Sequence, residues 1–313
     1  MGKMIATREA YGRALVELGK ENNEVVVLDA DLSKSTKTAD FAKNFPERFF
    51  EMGVAEQNML GTAAGLAAAG KTAFCSSFAM FAAGRAFEQI RNSVAYPRLN
   101  VKIAATHAGI TVGEDGGSHQ TVEDIALMRS LPNMTVFVPA DTAETIGAVK
   151  AAASMEGPVY IRLGRLPVPD LHGGEFEFIP GQAVVLKDGK DASVLATGIM
   201  VSVALEAAGM LSQEGIEVRV LGIHTIKPLD KGAVEAAARE TGAIVTAEEH
   251  SIIGGLGGAV AEAVCESCPV PVLRVGIQDV FGESGRPDEL LEKFGLTPGA
   301  IVNAVKRVLT MKK

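Results

Sequence analysis

Short runs rich in Val, Ile and Thr alternate along the chain with longer segments whose apolar residues recur every three or four positions. The short runs predict strands at Val25–Leu28, Thr72–Ser76, Val101–Thr106, Thr135–Val138 and Val159–Leu163. Between them, helices are predicted near Thr7–Gly19, Ala55–Ala69, Ala82–Val94, Val122–Ser130 and Ala143–Met155. Apolar strands spaced by helices imply a parallel sheet covered on both faces, an α/β fold. The stretch "RLPVPDLHGGEFEFIPG" then breaks the pattern and reads as a linker. After it the alternation resumes, from a strand at Ala192–Ala196 to a last helix near Ala300–Met311. The expected organisation is a first domain over 1–165, a linker over 166–185 and a smaller α/β domain over 186–313.

Composition narrows the function classes. The chain is 47% hydrophobic and 22% charged, enough apolar material for two cores. A net charge of -8 leaves no basic footprint for nucleic acid. No run approaches the roughly 20 apolar residues of a membrane span, and no secretory signal is visible. The expected compartment is the cytoplasm. Cys75, Cys265 and Cys268 are too few for a disulfide framework. Cys265–Cys268 form a CxxC that ends a predicted helix, where redox pairs usually open one, so no metal or redox site is assigned to them.

In open α/β sheets, ligands bind beyond the carboxyl ends of the strands. The segments there are unusually polar: "DADLSKST", "SFAMFAAGR" and "HAGITVGEDGGSHQT". The glycines of the third can turn the backbone so that His107 and His119 share one pocket. Phe78 and Phe81 are either core aromatics or a flat face for a heteroaromatic ring. Arg8, at the start of the first helix, and Arg162, at the end of the fifth strand, are salt-bridge partners or phosphate ligands. Glu56 is the lone acid of "MGVAEQNMLGTAAGLAAAG", in which Val54, Met59, Ala63, Leu66 and Ala67 can line a packed face. A carboxyl there either matches the helix dipole or is a buried acid with a task. There is no GxGxxG opening a helix after a strand, no phosphate loop of the GxxxxGK type and no GxSxG.

Over nearly all of its 313 residues the chain resembles the C-terminal half of transketolase, a thiamine diphosphate enzyme. The resemblance rests on "GVAEQNM", "DADLSKS" and "THAGITVGEDGGSHQTVEDIALMRSLPNM". It implies a pyrimidine-binding domain followed by the transketolase C-terminal domain. By resemblance Glu56 hydrogen-bonds N1′ of the cofactor's aminopyrimidine, favouring the imino tautomer that takes the thiazolium C2 proton. An apolar setting would keep that proton in the shared bond. Phe81 corresponds to the aromatic stacked on the pyrimidine and Phe78 to a neighbouring wall, while Asp31 and Leu32 lie near the cofactor rings. His107 and His119 match substrate-contacting histidines, Asp115 the holder of a sugar hydroxyl, and Arg8, Ser35 and Arg162 a clamp on the sugar phosphate. A tyrosine common three residues after the stacking phenylalanine is replaced by Gly84.

The family's GDG…N segment, which holds Mg²⁺ and the diphosphate, is absent. The resemblance therefore implies an N-terminal partner subunit that supplies the diphosphate site, an α2β2 assembly in which this chain pairs with its own copy, and sugar phosphates as substrates. Related readings are the β subunit of a 2-oxoacid dehydrogenase and half of a 1-deoxyxylulose-5-phosphate synthase. The loop "GEDGGSHQ" fits transketolase better. A regulatory or assembly subunit is the non-enzyme reading, against which the intact Glu56, His107 and His119 argue.

Overall fold

The computed structural model describes residues 4–173 and 176–312. Its strands in chain order are β1 (Ile5–Ala6), β2 (Val25–Asp29), β3 (Phe49–Glu51), β4 (Thr72–Phe78), β5 (Val101–Thr106), β6 (Thr135–Phe137), β7 (Val159–Arg162), β8 (Pro167–Val168), β9 (Val184–Lys187), β10 (Ala192–Ala196), β11 (Val218–Gly222), β12 (Thr225–Lys227), β13 (Ile244–Ser251) and β14 (Val272–Ile277). One sheet runs β12-β6-β7-β5-β4-β2-β3 and a second runs β14-β13-β10-β11-β9. Both are parallel except at one edge, where β12 pairs antiparallel with β6 and β9 antiparallel with β11. The predicted α/β class with two sheets is present.

The buried strands explain the parallel sheet. All five residues of β2, all seven of β4 and all six of β5 are buried. Such strands need cover on both faces, which the crossover helices supply. The helix Glu56–Ala68 packs Met59, Leu60, Ala63, Ala64 and Ala67 inward, with contacts to β4. Val54, predicted to join that face, is instead 73% exposed, because it precedes the helix. The predicted helix over Ala82–Val94 is interrupted. Met80–Arg85 and Ile90–Ala95 wind as π-helix around a short α turn, Phe87–Gln89. Such windings often mark functional segments.

The two sheets are tied together more closely than a linker suggests. Thr225 and Lys227, from the second half of the chain, extend the first sheet at β12. Val136 and Val138 of the first half share one buried cluster with Ile223, Ile226 and Leu256 of the second. Each fully buried Ile or Leu contributes about 1.5–3 kcal/mol, so these few residues fix one half on the other. Within the linker, β8 pairs with β1, joining Val168 to Ile5. No helix is long and apolar enough to cross a membrane. Cys265 and Cys268 are free thiols at the end of the helix Leu256–Ser267.

Candidate active site

The carboxyl ends of β2, β4, β5 and β7 bring most of the expected residues together. After β4, the rings of Phe78 and Phe81 lie nearly parallel, 11° apart with centroids at 6.0 Å. Phe78 stacks on the ring of His107 at 3.8 Å, and Phe81 meets His119 edge-on at 5.2 Å. The loop after β5 thus places its two histidines, twelve residues apart in sequence, against one pair of aromatic rings. Where an aromatic was expected at Gly84, a Cβ would already lie 2.7 Å from the Met80 methyl.

Glu56 is the first residue of its helix and 2% exposed. The chain's turn into that helix buries its carboxylate, and the helix dipole favours a negative charge there. The apolar setting expected for it is only part of what is found. Arg85 Nη1 lies 2.8 Å from both carboxylate oxygens, and the Arg85 guanidinium sits 4.6 Å from the Phe81 centroid. Gln57 Nε2 donates to the Arg85 carbonyl, so the helix start and the π-helical segment are held together.

After β2, Asp31 adopts φ 62°, and its N–H donates to Glu51 Oε1 at 2.7 Å. The Leu32 N–H donates to Asp29 Oδ1, while Thr36 and Thr38 hydroxyls donate to Asp29 Oδ2. Asp29 is buried, and burial raises its carboxyl to about 6 against these bonds. The loop carrying Asp31, Leu32 and Ser35 is therefore pinned from inside.

A cationic cluster lies beside His107. Arg8 Nη1 donates to the Ser35 carbonyl at 2.9 Å and to His107 Nε2 at 3.2 Å. A guanidinium can only donate, so Nε2 accepts and the ring proton sits on Nδ1, which donates to Thr106 Oγ1 at 2.8 Å. Burial and the charges of Arg8, Arg165 and Lys37 push His107 down to about 3. The ring is neutral at ordinary pH, with the three cations left to meet an anion. Arg8 Nε is buried with no partner in the protein. Thr7 Oγ1 accepts the Gly164 N–H at 2.8 Å, setting Arg8 beside the loop that carries Arg165.

Arg162 does not join this cluster, and its expected place in the phosphate clamp is corrected. Its side chain is 6% exposed; Nε donates to Asp124 Oδ2 at 2.8 Å and Nη2 to the Glu249 carbonyl at 2.9 Å. A strand residue facing the interior must be neutralised there, and Asp124 does so. Arg165, three residues on and past the strand end, is the arginine whose charge reaches Arg8 and His107. Its position in the loop beyond β7 was the available signal. Asp115 lies exposed in a turn, and among the described residues no hydrogen bond joins it to the rings.

Comparison with known proteins agrees with this layout. The transketolase pyrimidine-binding domain matches residues 3–169 and the transketolase C-terminal domain residues 181–301. The chain belongs to the transketolase family. A Methanocaldococcus jannaschii chain whose name assigns it to the C-terminal section of transketolase is 53% identical over 98% of this chain and 96% of its own length. A 6-deoxy-6-sulfo-D-fructose transketolase subunit of Clostridium sp. is 47% identical over 97% of this chain and 95% of its own. A solved structure described as a split gene transketolase, inactive β4 tetramer, superposes with a TM-score of 0.93 at 63% identity, covering 99% of this chain and 100% of that one. Single-chain transketolases match over half their length, as in the human enzyme, which is 41% identical over 99% of this chain and 50% of its own.

Proposed function

We propose that this chain is the C-terminal subunit of a two-polypeptide transketolase that moves a two-carbon glycolaldehyde unit from a ketose phosphate to an aldose phosphate. The observation that carries the reading is the pairing of a buried carboxyl, Glu56, with the exposed side of the Phe78–Phe81–His119 rings, beside the cations around His107. The relatives named above are transketolases or transketolase subunits, which favours ketol transfer over 2-oxoacid decarboxylation.

The residues present fit the pyrimidine side of thiamine diphosphate. Glu56 is a buried acid whose partner, Arg85, has a side chain 49% exposed and free to swing away, and Phe81 offers a ring beside it. When bound, the cofactor supplies the carbon nucleophile that carries the two-carbon unit. Glu56 holds the proton at N1′, Phe81 and Phe78 keep water from the ring, and the Asp31–Leu32 backbone borders it. His107 and His119 present nitrogens to the sugar oxygens. Arg8, Arg165 and the Ser35 turn receive the substrate's phosphate as a guanidinium pair suits a bidentate anion. Asp115 reaches a sugar hydroxyl once its exposed turn closes on the substrate.

The diphosphate and Mg²⁺ have no comparable fit. Among the described residues no three His, Cys, Asp or Glu side chains gather as a metal requires. This supports a partner polypeptide carrying that half of the site, with two copies of each chain in the assembly. A related chain described as an inactive β4 tetramer accords with a subunit that assembles but does not turn over alone. Mixing the purified chain with its N-terminal partner and assaying ketol transfer from xylulose 5-phosphate tests the reading. Activity in the mixture and in neither chain alone is expected; turnover by this chain alone contradicts it.

A further inference from the structure

The loop that carries His107 and His119 does not stand on the first domain alone. Its base is clasped by Glu249, a residue of β13 in the second sheet that is 4% exposed. Glu249 Oε1 accepts the Thr111 N–H at 2.7 Å. Gly109 turns with φ 85°, and a Cβ there would lie 2.2 Å from the Glu249 carboxyl carbon. Only a glycine allows the carboxylate so close to the main chain. The loop neck is closed by the Gly109 N–H on the Thr121 carbonyl at 2.9 Å.

The same turn is gripped from its other side. The Val112 carbonyl accepts from Arg165 Nη1, one residue past the amide that Glu249 holds. The short turn Ile110–Val112 is therefore suspended between a carboxylate of the second domain and the arginine that faces His107. Glu249 also accepts Arg162 Nη2 at its own carbonyl, so its strand is anchored to the buried Arg162–Asp124 pair. A carboxylate that is buried, and raised in pKa by that burial, is costly to keep. Its cost is offset by what it holds in place.

We propose that Glu249 is a positioning residue. Through Thr111 and Gly109 it sets the place of His107, and through the Ile110–Val112 turn that of Arg165, so that the second domain tunes the anion end of the first domain's site. The proposal rests on the reading of Arg8, Arg165 and His107 as the receiver of the substrate's phosphate. It assigns to the second domain a part in substrate binding through one hydrogen bond.

The test uses the full chain labelled with ¹⁵N at histidine, inorganic phosphate as the probe, and the variants Glu249→Ala and Glu249→Gln. In the wild-type chain the His107 ring reports a protonated Nδ1 and an accepting Nε2. Glu249→Ala is expected to shift those ring resonances and weaken phosphate binding about tenfold, the loss of one charge-assisted hydrogen bond. Glu249→Gln, whose carboxamide oxygen still accepts the Thr111 N–H, restores both. A general packing defect would not be rescued by Gln in the ring signal and the affinity together. A folded Glu249→Ala chain with unchanged His107 resonances and unchanged phosphate affinity overturns the proposal. If the wild-type chain binds no phosphate, the anion-site reading falls. The ring resonances of the two variants then still decide whether Glu249 places His107.

Discussion

Arg85 binds both carboxylate oxygens of Glu56 through one nitrogen, 2.8 Å from each, while its guanidinium lies 4.6 Å from the centroid of Phe81. One exposed side chain thus spans the two groups assigned to the aminopyrimidine. It satisfies a buried acid that would otherwise be alone. It must also give way when another ring takes its place.

Removing it has a cost that depends on what replaces it. Arg85→Ala leaves Glu56 buried and unpaired, and is expected to destabilise the cofactor-free chain by about 1–3 kcal/mol. In the reconstituted complex with thiamine diphosphate, N1′ supplies the missing partner and the deficit shrinks. Thermal denaturation of wild type and variant, with and without cofactor, measures the difference. An equal deficit in both conditions speaks against cofactor contact at Glu56.

Arg162 and Arg165 are three residues apart and have separable tasks. Arg162→Leu strands Asp124 in the interior, where the Tyr160 hydroxyl is its remaining side-chain partner. A loss of about 3–5 kcal/mol in urea unfolding is expected. Arg165→Leu, at the half-buried loop, changes stability by about 0.5 kcal/mol or less. It raises the KM for a phosphorylated ketose about tenfold or more, as loss of a guanidinium–phosphate contact does.

His107 gives the site an acid-sensitive stability. Its folded value, pushed down to about 3 by burial and by Arg8, Arg165 and Lys37, lies below its ordinary 6.5. The unfolded chain therefore takes up a proton that the folded chain refuses, and His107 subtracts stability as pH falls from 6.5 toward 3. Above 6.5 both states are neutral and the contribution is flat. His107→Asn is expected to lose less stability than wild type on acidification, read as the slope of Tm against pH. An identical slope contradicts a buried neutral imidazole.

The alternation of apolar strands and periodic helices made the parallel sheet legible, and with it the loops at the strand ends where Asp31, Ser35, Phe81, His107 and His119 lie. Arg162 was misassigned because strand-end position does not say which way a side chain points. Its partner Asp124 is thirty-eight residues away. Strands of two or three residues, such as Ile5–Ala6 and Thr225–Lys227, are too short for periodicity to reveal and exist only because a distant strand pairs with them. Glu249 was invisible for the same reason: its task is set by Thr111, 138 residues earlier, across two domains. Arg85 reads in sequence as a surface cation, and only the π-helical winding turns it back onto Glu56.

The central claim is that Glu56 acts on the cofactor from within this chain. The direct measurement is the rate of two-carbon transfer by the complex reconstituted with Glu56→Gln, at saturating thiamine diphosphate and Mg²⁺. A loss of about 100-fold or more, with the complex assembled as in wild type, is predicted from the removal of a positioned proton-holding acid. An assembled Glu56→Gln complex that turns over at the wild-type rate would contradict it.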